Sequence, residues 1–406
     1  MKNITGIVTL LLGCCLLSGC WNRIELNELS IVSATSFDFN GDKWVNSFQV
    51  IIPSAISSGT GLAGGGGSQS PVTVFSSEGN TIREAVSKSS METPRQLFFA
   101  HNNALIISDE VARQGINQIL DLHYRNTDAR ETVHVLITQG NARAILERLV
   151  HTEKIPGQGI REILSNESRN ASFIPSVMMY ELAMAITSEG KGAVIPEIIF
   201  AGDEQDGKSL DVLKETYEKG KLRLGRLAVM RGDKFAGWLS REEALGVSFI
   251  ANKVRSSNLA FKCKPSDTKY NSSFRLQNSE TKLKPVMRDG KITMRLDIKG
   301  GGYLLESNCV MDLSQPATVK RLEQQLQDEV KKMITQSWEA TKRMKVDIYG
   351  FADAIHRKYP KQWKRVKNNW EETFSHIQIE PHIKISMNRV GLTSKTFKST
   401  NKDDES

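Results

Sequence analysis

"LSIVSATSFDFNGDKWVNSFQVII", residues 29–52, holds two runs of alternating apolar residues on either side of Gly41-Asp42. Alternation with period two puts neighbouring side chains on opposite faces of a strand, and a Gly-Asp pair supplies a tight reversal, so the stretch predicts a β-hairpin. After a polar loop, "VTVF" (72–75) resumes the sheet, and Thr81-Ile82-Arg83-Glu84 reads as a capping box opening a helix to about Ser90. "LFFAHNNALIIS" (97–108) reads as one apolar strand. Ser108 is placed to cap a helix over 109–123, followed by the strand "ETVHVLIT" (131–138) and a helix over 141–150. Strands alternating with helices after a hairpin predict an α+β, mixed α/β fold: several domains, with mixed sheets each covered by helices.

Residues 156–172 read as a polar connection, 175–188 as a helix and "AVIPEIIFAG" (193–202) as extended chain. A second hairpin is expected over 224–239, around Arg231-Gly232-Asp233-Lys234. Ser240-Arg241-Glu242-Glu243 forms a second capping box. "NLAFKC" (258–263), "KLKPVMRDGKITMRLDIKG" (282–300) and "YLLES" (303–307) are strand-like. From Pro316 to about Met344, Val319, Leu322, Leu326, Val330 and Met333 recur at spacings of three and four, which is one apolar stripe on a long helix. "IQIEPHIKISM" (377–387) alternates as a strand.

A chain of 406 residues that is 39% hydrophobic can bury two or three cores. Charge divides it. Residues 1–220 carry 18 Lys and Arg against 25 Asp and Glu, whereas residues 221–398 carry 35 against 18. Opposite signs in the two halves argue for separate domains. The expected division is a lipoprotein signal peptide (1–19), an N-terminal mixed α/β domain (20–155), a small middle unit (156–220), a basic C-terminal domain with the long helix (221–395) and a disordered tail (396–406). The basic half is expected to face anionic headgroups or an acidic partner surface.

The amino terminus carries an export pattern. Lys2 precedes an apolar run from Ile4 to Leu17, too short to span a bilayer, and Leu17-Ser18-Gly19-Cys20 follows. Small residues before a cysteine suit cleavage ahead of Cys20 and acylation of its thiol; two or more acyl chains make stable anchoring. Trp21 is then expected at headgroup depth. Nine residues, 20–28, separate the acyl site from the first strand and reach at most about 30 Å.

Cys263 and Cys309 lie beside strand-like sequence. Two separate buried thiols is the simpler reading, and a disulfide outside the cytoplasm is the alternative.

Patterns that carry chemistry elsewhere do not assemble here. Gly59-Thr60-Gly61-Leu62-Ala63-Gly64 spells G-x-G-x-x-G, but more glycines and Ser-Gln-Ser-Pro follow where a helix would have to begin. Arg231-Gly232-Asp233 is explained by a turn, and His101 by a core or edge position. His376 and His382 lie six apart. No H-E-x-x-H, C-x-x-C or G-x-S-x-G occurs. No catalytic residue, cofactor or metal site is expected. Trp363, Val366, Trp370 and Phe374 alternate with Lys361, Lys364, Arg365 and Lys367; an amphipathic helix with buried aromatics accounts for them without nucleic acid.

Three stretches resemble one family. "CWNRIEL" (20–26), "RQLFFAH" (95–101) and "DIYGFADAIHRKYPKQWKRVKNNW" (347–370) with "RVGL" (389–392) are similar to the C subunits of bacterial spore germination nutrient receptors, the Ger(x)C lipoproteins. Asn22 stands where that family commonly has Asp. The resemblance implies three mixed α/β domains and a lipoprotein on the outer face of the spore inner membrane, anchored to lipid through Cys20. It would act beside two integral membrane subunits, A and B, in sensing nutrient germinants. It implies no catalytic site. A substrate-binding lipoprotein of an importer is the alternative reading.

Overall fold

The opening hairpin forms as its alternation requires. In the computed structural model, which describes residues 25–57, 69–217, 219–288, 290–389, 391 and 396, β1 (Leu29–Asn40) and β2 (Lys43–Ile51) pair antiparallel, with Asn40 opposite Lys43. Then follow α1 (Pro53–Ser57), β3 (Val72–Gly79), α2 (Ile82–Lys88), β4 (Gln96–Phe98) and β5 (Ala104–Ser108). Helices α3 (Asp109–Gln114) and α4 (Asn117–Arg125) lead to β6 (His134–Thr138), α5 (Arg143–Leu146), α6 (Pro156–Asn170) and α7 (Met179–Thr187). β7 (Ala193–Ala201), β8 (Lys221–Arg231) and β9 (Lys234–Leu239) precede α8 (Arg241–Ile250). The remainder is β10 (Ser257–Phe261), β11 (Ser272–Arg288), β12 (Lys291–Ser307), α9 (Pro316–Met344), α10 (Phe351–Lys358), α11 (Pro360–Val366), α12 (Trp370–His376) and β13 (Gln378–Arg389).

Nine described strands form one mixed sheet in the order β3-β2-β1-β5-β6-β7-β8-β9, with β4 pairing β1. β1, β5 and β6 run parallel, as crossovers through helices demand. The step from β6 to β7 is narrow, a single registered pair of Ile137 with Glu197. Strands on both sides of the divisions read at 155/156 and 220/221 thus share this sheet. The second sheet, β10-β11-β12-β13, is antiparallel except for the parallel β12–β13 pair. The fold is α+β.

Several elements differ from the sequence reading. The strand expected over 97–108 is two, because the chain turns at Phe99, whose carbonyl accepts the Asn102 N–H at 2.9 Å. His101 sits on that turn, exposed. The helix expected over 109–123 breaks at Gly115, whose φ of 129° no helix contains. The helix expected over 141–150 is helical only from Arg143 to Leu146.

Residues 156–170, read as a connection, form a helix of 15 residues with Pro156 in its first turn. Glycine explains the misreading. A Cβ on Gly157 would lie 2.4 Å from the Ser33 carbonyl oxygen, so a residue that weakens helix propensity is what lets α6 reach β1.

The capping boxes divide. Ser240 and Glu243 satisfy each other's backbone N–H groups. Thr81 accepts the Glu84 N–H at 3.1 Å, but Glu84 reaches one residue further back, to the Asn80 N–H at 2.8 Å. The long helix α9 forms over Pro316–Met344 with Leu322, Leu326 and Val330 fully buried as read, while Ile334 takes the buried place expected of Met333, which with Val319 is half-buried. The buried residues belong to a core that also takes in β10–β12 and α8.

Candidate functional site

Cys20 and Trp21 lie outside the described residues, as does the Gly59–Gly64 loop. The chain becomes described at Glu25, four residues before β1. No helix among the described residues is long and apolar enough to cross a membrane.

The stretch 347–370 is organised by one carboxylate. Asp347 is fully buried and accepts backbone N–H groups from Tyr349, Gly350 and Phe351 on Oδ1, at 3.0 to 3.1 Å. Oδ2 accepts the Ala352 N–H at 2.8 Å. Those of Gly350, Phe351 and Ala352 are donors that the start of α10 leaves without helical partners, and negative charge there also suits the helix dipole. Burial pushes this carboxyl up to about 6, against the opposing pull of the four N–H groups.

Around it the aromatics pack against one another. Trp338 of α9 stacks on Phe351 at 5.4 Å and meets Phe374 edge-on at 5.0 Å; Trp363 meets Trp370 edge-on at 5.2 Å. Trp363, Trp370 and Phe374 are buried, while Lys361, Lys364, Arg365 and Lys367 are exposed. The amphipathic reading therefore describes them, although α11, a 3-10 turn and α12 replace one continuous helix.

This unit also joins the two sheets: towards the second, the Lys358 ammonium donates to the Pro285 carbonyl of β11 at 2.9 Å. The Asp347 carbonyl accepts the Gly192 N–H at 2.8 Å, just before β7, and Arg231 at the end of β8 donates to the Met344 carbonyl at 2.7 Å. The specific stretch is thus a structural joint. Sequence reasoning found its residues but not the role of Asp347, which looks like any exposed acid until the following N–H groups are seen to converge on it.

Cys263 and Cys309 are joined in a disulfide, with Cα atoms 6.7 Å apart, where separate thiols was the simpler reading. They lie on either side of β11 and β12, beside the hydroxyl of Ser272. With Asp267 they form the one group with metal-binding spacing among the described residues, and there the two sulfurs bind each other.

A charged face lies on the second sheet. The register sets Lys284 opposite Arg295, and Lys299 opposite Lys384. Asp297 accepts from Lys284 at 2.9 Å and Arg295 at 2.7 Å, and these two cations hold its carboxyl down to about 2. Lys282 pairs with Glu280 at 3.2 Å. These residues line a cleft of about 620 Å³, with Lys331 of α9 and His382 of β13. Nothing in the sequence marked them as neighbours, since only the strand register brings 284, 299 and 384 together. His376 and His382 are both exposed and stand on separate elements. Arg231-Gly232-Asp233 is the turn between β8 and β9, as read.

Two family models cover most of this architecture. Residues 22–200 match the family described as spore germination protein N-terminal domain. Residues 225–391 match spore germination B3/GerAC like, C-terminal. Spore germination protein KC of Bacillus subtilis (strain 168) is 30% identical over 402 residues, covering 98% of both chains.

The chain belongs to the Ger(x)C family of spore germination proteins.

Other Ger(x)C relatives are more distant. Spore germination protein B3 of the same strain is 24% identical, over 93% of this chain and 96% of that one. Spore germination protein A3 is 22% identical, over 93% and 95%. The crystal structure of the GerBC protein aligns with a TM-score of 0.52 at 19% identity, covering 90% of this chain and all of that one, and so shares its fold.

Proposed function

We propose that this Ger(x)C protein is the membrane-anchored lipoprotein subunit of a spore nutrient germinant receptor. It acts with integral membrane A and B subunits to trigger germination. The observation that carries the reading is the end-to-end match to spore germination protein KC, which leaves no large part of either chain unpaired. The Leu17-Ser18-Gly19-Cys20 pattern supports acylation at Cys20 after removal of residues 1–19. Anchoring is on the outer face of the spore inner membrane, with Trp21 at headgroup depth.

The role is non-catalytic. The short segment between Cys20 and β1 keeps the folded part against the bilayer, where integral partners are within reach.

Metabolic labelling with palmitate tests the anchor: wild-type chain incorporates label and fractionates with membranes, and Cys20→Ala loses both. Germination tests the role. Deletion of the gene abolishes the response to nutrient mixtures and leaves dodecylamine-triggered germination intact. Normal nutrient response in the deletion strain would refute the receptor reading.

A further inference from the structure

Like charges set opposite each other in a sheet repel, and the cleft on the second sheet is lined by two such pairs, Lys284 with Arg295 and Lys299 with Lys384. The first is relieved internally by Asp297, which both cations reach. The second is not. Among the described residues lining the cleft, Glu280 pairs with Lys282, Asp297 with its two cations, and Asp328 accepts from the neutral Gln324 amide at 3.0 Å and keeps its charge, so six cations face three acids. Lys299 and Lys384, with Lys331 from the neighbouring helix α9, reach no carboxylate among the described residues. All three are exposed, and His382 is exposed beside them.

We infer that this face of the C-terminal sheet is a docking surface for anionic phospholipid headgroups, with Lys299, Lys331 and Lys384 as its principal cations. The inference rests on the membrane-anchored reading above and adds the orientation of the basic half. Charge complementarity supplies the attraction, and the composition of the cleft selects the occupant. A protein partner is normally gripped by aromatic anchors and a nucleic acid by stacking aromatics. Apart from charged and amide side chains and His382, this cleft offers only Ile298, Pro381 and Ile383. Long, mobile lysines with no aromatic anchor suit a diffuse layer of phosphates, at short range because salt screens charge over about 8 Å.

The test uses the chain from residue 20 onward with Cys20→Ser, so that no acyl chain contributes, in a vesicle co-sedimentation assay. Vesicles with 30% anionic phospholipid are compared with purely zwitterionic ones, at low and physiological salt. Wild type partitions to anionic vesicles at least tenfold better, and added salt reduces this. Lys299→Glu, Lys331→Glu and Lys384→Glu together lower anionic partitioning by about a hundredfold. Lys320→Glu, Lys361→Glu and Lys364→Glu, an equal charge change elsewhere on the C-terminal half, leave it within threefold. Unfolding temperatures of both triple variants establish that they fold.

Equal binding to both vesicle types, or equal loss in both triple variants, overturns the inference. Binding to a polyglutamate peptide in place of vesicles also overturns it, by making the occupant a protein. Since no acyl group is present, failure here is distinguishable from failure of the anchor, which palmitate labelling reads separately.

Discussion

Glu197 grips Arg226 through both carboxylate oxygens, at 2.7 and 3.0 Å, and also accepts the Arg226 backbone N–H at 2.8 Å. Glu197 is the residue paired with Ile137 where β6 meets β7, and the Arg226 guanidinium lies 4.2 Å over the ring of Trp238. The ion pair therefore spans the irregularity in the β7–β8 pairing, where the register shifts between Pro196 and Ile198, on the far side of Glu197 from β6. Arg226→Ala strands a buried carboxylate and is expected to cost about 3 kcal/mol, the low end for a broken buried pair because the arginine is partly exposed. Urea denaturation of the purified protein measures it. A loss below about 1 kcal/mol would mean that the β7–β8 irregularity is held by other contacts.

Asp347 gives a pH prediction. Its folded-state value of about 6 lies above the ordinary 3.8, so folding favours the protonated form. Its contribution is complete below about pH 4 and is lost as pH rises through 6, a change of up to about 3 kcal/mol. Asp347→Asn removes the titration. The stability advantage of wild type over this variant should shrink between pH 4.5 and 7, followed by thermal unfolding of both. An advantage that is constant or grows with pH would contradict the raised value.

The disulfide is checked without a structure. The chain from residue 20 onward with Cys20→Ser, whose remaining cysteines are Cys263 and Cys309, should resist alkylation until reduced, then gain two labels by mass. Cys263→Ser with Cys309→Ser should lose about 4 kcal/mol on the chain-entropy account of closing a 46-residue separation. Labelling before reduction would show free thiols.

Gly157→Ala tests the approach of α6 to the sheet. The added methyl would stand 2.4 Å from the Ser33 carbonyl oxygen, so helix or strand must move. A destabilisation of about 2 kcal/mol is expected, despite alanine's better helix propensity. If the variant is as stable as wild type or more so, the packing distance is wrong.

Much of this architecture could be read from pattern. The hairpin at 29–52 was legible by alternation although both faces of its strands are buried, small polar residues such as Ser33, Thr35, Ser36 and Ser47 filling the positions between the apolar ones, and α9 carries its stripe because it packs along one side. The reading failed where backbone proximity outranked propensity, as at Gly157, and where a turn interrupts an apolar run, as at Phe99–Asn103. It also missed the first half of β11. There Gln277, Asn278 and Glu280 face solvent and the pairing with β12 is shifted twice, so the alternation that marks a strand is lost. Of the candidate residues, Cys263 and Cys309 were visible as a pair but not as bonded. The cations of the second sheet were legible as an excess of charge, not as a surface, because their neighbours come from three strands and a helix.

Helix α9 ends near the β8 turn, where Arg231 binds the Met344 carbonyl, while near its beginning Glu323 accepts the Met387 N–H at 2.7 Å from β13. The 21 residues between these ties rise about 32 Å as one rod. The same helix thus braces the edge strand of the smaller sheet against the β8–β9 hairpin of the larger one.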